Sequence, residues 1–78
     1  MKSRYSKQAR KFLGKQGEAV DARVRKAVSK LPMGDVEKMK GFENTYRLRV
    51  GDYRILFTKE DNMVSVRKID NRGQVYKE

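Results

Sequence analysis

Apolar side chains recur at helical spacing in the first third of the chain, after a short edge strand predicted at Lys2–Tyr5. Ser6 is a suitable N-cap, and Gly14 and Gly17 predict a break between two helices. Pro32 predicts the end of the second helix, because proline lacks the amide hydrogen that another turn requires. The pattern therefore predicts a helical hairpin with one apolar side. Its apolar positions are Tyr5, Ala9, Phe12 and Leu13, then Val20, Val24, Ala27, Val28 and Leu31.

From residue 36 the apolar positions alternate with polar ones, which is the period of a β-strand. Residues 36–40 predict one strand, and Gly51-Asp52 predicts a two-residue turn of type II′, in which glycine takes the first central position. A second turn is predicted around Glu60-Asp61, and a third at residues 70–73 precedes a short strand at 74–77. These turns place eight residues on one apolar face: Tyr46, Leu48, Val50, Tyr53, Ile55, Phe57, Val64 and Val66.

The order of the elements predicts the fold class. Two helices followed by a run of strands indicate a single α+β domain over residues 1–78, with no internal repeat. The N-terminal helical hairpin is expected to pack on one face of a small, twisted antiparallel sheet. A chain of 78 residues buries only about 60% of the surface that it exposes when unfolded, so its core is small.

Arginines cluster on the polar face of the predicted sheet. In the register that the two turns set, Arg49 lies opposite Arg54, and Arg54 lies opposite Arg67. Arg47 is two residues from Arg49 on the same strand. Like charges directly opposite each other destabilise a sheet. The row therefore favours an anion site, since guanidinium forks match phosphate oxygens, although long arginine side chains that splay apart in water over Leu56 remain an alternative.

The charge of the whole chain favours a polyanionic partner. Twenty lysines and arginines stand against ten aspartates and glutamates, a formal net charge of +10. Residues 1–40 hold 12 of these cations and only 4 of the acids. Clustered cations gain affinity for a phosphate backbone by counterion release, and Lys26 and Lys30, outside the apolar stripe of the second helix, are candidate RNA contacts. A well-solvated surface is the alternative.

Several kinds of chemistry are disfavoured by composition. The chain contains no cysteine and no histidine, and its acidic residues are scattered along the sequence, so we expect neither a disulfide nor a metal site. No apolar run approaches the roughly 20 residues of a membrane span, and the N-terminus lacks the apolar stretch of a signal peptide. The valine and alanine stripe of the second helix favours core packing over membrane-surface binding. We therefore expect a cytoplasmic protein without a cofactor.

With these residues in view, the chain resembles the RelE side of the RelE/ParE toxin superfamily over nearly its whole length. The most specific segment is YRLRVGDYR at residues 46–54, and the second is the closing Arg72, Val75 and Tyr76. The resemblance implies a small antiparallel sheet with two helices on one face. It also implies a toxin that cleaves messenger RNA on the ribosome, with a cognate antitoxin protein as partner and no metal.

The resemblance also implies roles for single residues. Arg54 matches the family arginine that holds the scissile phosphate, and Arg47 matches a basic residue of the preceding strand. Arg49 is the neighbour of Arg47 on the same face. Arg72 matches an arginine near the C-terminus, and Tyr76 a tyrosine that stacks on or activates the nucleotide. Without the resemblance, Tyr76 is equally a residue that closes the sheet edge, and Arg72 a surface turn residue.

The chain departs from the family pattern at three positions. Thr45 replaces one of two lysines, Asp70 stands where a basic residue can occur, and Asn71 replaces a frequent histidine. The set of groups for proton transfer is therefore small. Two alternatives stay open beside the ribosome-dependent nuclease: a ParE-like toxin that inhibits gyrase, and a catalytically weak RNA-binding member of the same fold.

Overall fold

A computed structural model of the chain describes residues 2–71 as two helices and five strands. The strands form one sheet in the order β1-β5-β4-β3-β2. Neighbouring strands are antiparallel except for β1 and β5, which run parallel, so the sheet is mixed rather than purely antiparallel. The predicted α+β fold class is confirmed. The elements are β1 (Lys2–Tyr5), α1 (Lys7–Gln16), α2 (Glu18–Ser29), β2 (Asp35–Lys38), β3 (Thr45–Val50), β4 (Tyr53–Glu60) and β5 (Met63–Asn71).

The helical hairpin begins and breaks close to the predicted positions. The Ser6 hydroxyl accepts a hydrogen bond from the Ala9 amide at 3.1 Å, as an N-cap does. The break lies at Gly17 alone, where φ is +96°, a value that favours glycine. Gly14, predicted to be part of the break, lies within α1 instead. Helix α1 therefore continues past Gly14 to Gln16, further than the sequence pattern indicated.

Ser6 also ties the helix to the sheet. Its hydroxyl donates a hydrogen bond to the Arg67 carbonyl at 2.6 Å, while its amide donates to the Val66 carbonyl at 2.9 Å. We expect Ser6→Ala to lower the free energy of unfolding by about 1 kcal/mol, because both hydroxyl contacts are lost. Urea denaturation measures the change. Ser29→Ala, which removes an exposed hydroxyl contact to Lys26 near the end of α2, is the control; equal losses in the two variants would contradict a capping role for Ser6.

The core lies between the helical hairpin and one face of the sheet. The apolar stripes of both helices face it, and Phe12 packs edge-on against Tyr53 with ring centroids 5.9 Å apart. The Tyr53 hydroxyl donates a hydrogen bond to Gln16 at 3.2 Å, which joins the end of α1 to the start of β4. The buried apolar residues are Ala9, Leu13, Val24, Val28, Leu31, Leu48, Ile55, Phe57, Val64, Val66 and Ile69.

The first hairpin of the sheet has the predicted register. Val50 pairs with Tyr53 across the Gly51-Asp52 turn, and Arg49 pairs with Arg54. Gly51 has φ +59° whereas Asp52 does not have a positive φ, which agrees with a type II′ turn. A side chain at Gly51 would meet only the mobile end of the Arg23 side chain, so the positive φ is what favours glycine in this turn.

The predicted register of the second hairpin is wrong. Its turn consists of Asp61-Asn62, one residue later than predicted, with Glu60 paired to Met63. A β-bulge then places Arg67 between the pairs Phe57–Val66 and Leu56–Lys68. The later turn moves each pairing by two residues, which leaves Val64 and Val66 on the core face. The bulge adds a third residue to this shift and so turns Ile69 into the core.

Two further differences concern the ends of the strands. β2 covers Asp35–Lys38 rather than residues 36–40. Residues 70 and 71, predicted as the start of a turn, continue β5; the predicted strand at 74–77 lies outside the described residues. Within residues 2–71, neither helix is long and apolar enough to cross a membrane.

Candidate nucleic-acid interface

The sheet face opposite the helices, called the open face below, carries three neighbouring arginines. Arg49 and Arg54 lie directly opposite each other on β3 and β4, and Arg47 lies opposite Leu56 one side-chain row away. We call Arg47, Arg49 and Arg54 the arginine cluster. Their side chains are 22%, 37% and 28% exposed, so each guanidinium is partly withdrawn from water. Three like charges at this spacing repel one another, which an entering anion would relieve.

Two of these arginines have unused hydrogen-bond donors. The Nε atoms of Arg47 and Arg54 are buried and have no hydrogen-bond partner within residues 2–71. A buried donor without a partner costs free energy, typically about 1–3 kcal/mol and more for a charged group. Two charged donors without partners therefore lie on neighbouring strands, and a phosphate oxygen is a partner of the right charge and geometry.

The third member of the predicted arginine row is elsewhere. Arg54 lies opposite Asp70 rather than Arg67, because the later turn and the bulge in β5 together move the pairing by three residues. Arg67 instead lines a depression at the other end of the open face, beside Arg4 and Ser65. Three carboxylates, those of Glu43, Glu60 and Asp61, line the same depression, so it is not a strongly cationic site. The prediction that Arg67 extends the arginine row is wrong.

Three carboxylates lie on the arginine cluster. Glu37 forms an ion pair with Arg47 at 2.9 Å, and Asp35 accepts a hydrogen bond from the Nε of Arg49 at 2.8 Å. The acidic residues are scattered along the sequence, and this arrangement was not predicted from it. Asp70 is the third carboxylate and lies 3.9 Å from Arg54 and 3.8 Å from Lys68.

A sequence signal for two of these acids existed. Asp35 and Glu37 are two residues apart, so in a strand they share one face, as Arg47 and Arg49 do. Their pairing depends on β2 meeting β3 across the loop at residues 39–44, and no short turn specifies that register. Cross-strand attraction between opposite charges agrees with the observed pairing.

The predicted helical contacts lie near one member of the cluster. Lys26 on α2 and Lys30 at its C-cap are exposed and line a cleft between that helix and β3, together with Arg23 and Arg49. The structure therefore brings the helical lysines to the same edge of the sheet as Arg49. Arg54 is not among the residues that line this cleft.

The remaining predicted site residues, Arg72 and Tyr76, lie outside the described residues, and their roles stay predictions. Of the three departures from the family pattern, Thr45 lies on the open face opposite Thr58, and its hydroxyl donates to the Glu43 carbonyl at 3.0 Å. Asp70 is only 23% exposed and faces Arg54. The departure at residue 70 thus places a negative charge beside the central arginine.

Comparison with known proteins agrees with this architecture. The family model described as the ParE toxin of type II toxin-antitoxin systems, parDE, matches residues 3–76. The toxin RelE3 of Methanocaldococcus jannaschii is 38% identical over 42 residues, which are 54% of this chain and 48% of that protein. The match therefore spans only about half the length of this relative.

Two solved structures have the same fold over nearly the full chain. One is the RelB-RelE antitoxin-toxin complex from Methanococcus jannaschii, with a TM-score of 0.73 and 25% identity, covering 92% of this chain and 93% of the other. The second is the archaeal RelE-RelB complex from Pyrococcus horikoshii OT3, with a TM-score of 0.74, 27% identity and coverages of 94% and 96%. The family match extends over both helices and all five strands, so this chain belongs to the ParE toxin family, on the RelE-like side of the RelE/ParE superfamily.

Proposed function

We propose that this chain is the toxin of a type II toxin–antitoxin pair and that it cleaves messenger RNA bound to the ribosome. The observation that carries the proposal is the arginine cluster, in which Arg47 and Arg54 hold buried Nε donors without partners in the described part of the chain. Family membership supports the toxin, and the RelE names of the similar proteins favour the nuclease over other activities.

The proposed reaction needs charge stabilisation more than it needs a metal. The ribose 2′-oxygen attacks the adjacent phosphorus and loses its proton, while the bond from phosphorus to the 5′-oxygen breaks and that oxygen gains a proton. The products are a 2′,3′-cyclic phosphate and a free 5′-hydroxyl. Because arginine stays protonated, Arg54 and Arg47 would stabilise the additional negative charge of the phosphorane rather than move protons.

Proton transfer is assigned to a residue near the C-terminus. Tyr76 is the proposed base, with Arg72 as a further contact to the phosphate; both assignments come from the resemblance in sequence. A tyrosine has a reference pKa near 10 and would need neighbouring cations to lose its proton at neutral pH. A slow reaction that depends on the ribosome for substrate positioning is consistent with this limited set of groups.

The proposed partner is an antitoxin protein. The two similar structures are both complexes of RelE with RelB. With a net charge of +10, this chain would attract an acidic partner, which we expect to be partly disordered when free.

Primer extension on a message in a bacterial translation extract tests the nuclease. We expect the purified protein to produce new stops within codons, and none when ribosomes are absent. An intact message together with DNA damage would instead support a gyrase-directed toxin, an alternative favoured by the ParE description of the matching family. An intact message without DNA damage would leave only RNA binding without chemistry.

A further inference from the structure

Strand β2 is the edge strand beside the arginine cluster, and it supplies two of the carboxylates that contact it. Glu37 pairs with Arg47 and Asp35 with Arg49, in the register that places them side by side on the open face. Both acids are well exposed, Glu37 at 67% and Asp35 at 49% of the side chain. The arginine side of each pair is less exposed than the acid, so the acids approach the cluster from the solvent.

These carboxylates occupy the donors that a phosphate would use. A carboxylate and a phosphate bind a guanidinium through the same pair of oxygen contacts. Glu37 lies 2.9 Å from a terminal nitrogen of Arg47, while the Nε of that arginine has no hydrogen-bond partner within residues 2–71. An ion pair with a carboxylate this exposed is weak, so a phosphate, which has more charge and more acceptor atoms, displaces it at low cost.

We propose that Asp35 and Glu37 act as internal competitors for the phosphate at the arginine cluster and thereby keep its affinity for free RNA low. The inference rests on the proposed function and adds a form of control to it. An RNA that is already positioned by a large assembly would displace both carboxylates. A free strand makes few other contacts, so the free energy needed to displace the carboxylates would weaken its binding. The two acids would then make cleavage depend on the ribosome.

The test measures the competition without any cleavage. Inorganic phosphate is titrated into the protein while the Nε–Hε signals of Arg47 and Arg54 are followed by NMR. We expect Glu37→Gln to bind phosphate roughly two- to five-fold more tightly, the effect of removing one exposed ion pair. Asp35→Asn should act in the same direction. The matched control is Glu43→Gln, which removes an equal charge from a loop residue with no ion pair in the described range.

The outcomes separate this inference from the proposed nuclease. A gain no larger than that of Glu43→Gln, or a loss of affinity, would overturn the inference and assign the acids a role in holding the arginines in place. In the translation extract without ribosomes, the Asp35→Asn, Glu37→Gln double variant should cleave RNA that the wild type leaves intact. A gain in phosphate affinity with no cleavage under any condition would refute the nuclease but leave the competition established.

Discussion

Replacement of Arg54 by alanine is expected to reduce RNA cleavage by about 10²–10³-fold, the usual effect of removing one donor that stabilises transition-state charge. Arg54 lies at the centre of the open face, between Arg49 on β3 and Asp70 on β5. Its buried Nε, like that of Arg47, has no hydrogen-bond partner in the described residues. Cleavage rates from primer extension in the translation extract measure the effect.

The same substitution should leave the fold intact. Arg54→Ala removes a buried donor without a partner and relieves repulsion from Arg49, while Asp70 keeps a contact to Lys68. We therefore expect the free energy of unfolding to be unchanged or to rise by up to about 1 kcal/mol. A loss of both stability and activity would assign Arg54 a structural role.

Two further variants separate charge from geometry. Arg54→Lys keeps the charge but loses the fork that contacts two oxygens, so its activity should lie between those of the wild type and Arg54→Ala. Arg10→Ala removes the same charge from an exposed position on α1 and should lower activity only slightly. An equal loss in Arg10→Ala would show that net charge, not the arginine cluster, determines cleavage.

Replacement of Ile69 by alanine is expected to lower the free energy of unfolding by about 2–5 kcal/mol, the range for a fully buried aliphatic side chain. Ile69 is 0% exposed and packs in the core because the bulge at Arg67 reverses the faces of the strand. For a small domain, whose total stability is of order 5–15 kcal/mol, such a loss is severe. Urea denaturation measures it, and Ile69→Val, with an expected loss of about 0.5–1.5 kcal/mol, keeps the test possible if the alanine variant does not fold.

Lys68→Ala is the matched control for the bulge. Without a bulge, the alternation after Val64 and Val66 would place Lys68 in the core and Ile69 on the open face. In the structure the Lys68 side chain is 56% exposed, so its removal should change stability by no more than about 0.5 kcal/mol. Similar losses in Ile69→Ala and Lys68→Ala would contradict the observed register.

Local signals in the sequence were sufficient for much of this fold. The Ser6 cap and the break at Gly17 each involve groups a few residues apart, and the Gly51-Asp52 turn sets the register that places Arg49 opposite Arg54. Such features depend on backbone preferences and side-chain periods that are visible in a short window. The α+β class and the three arginines of the candidate site follow from them.

Only the tertiary structure decided which charges surround those arginines. The bulge at Arg67 has no sequence signature of its own, and together with the later turn it exchanges Arg67 for Asp70 opposite Arg54. The contacts of Asp35 and Glu37 require β2 to pair with β3 across a loop, a choice made by packing and charge over the whole sheet. The sequence by itself therefore determined the elements and the central arginine pair. Long-range strand pairing determined that the cluster is bordered by carboxylates, because register is a property of two strands and not of either one alone.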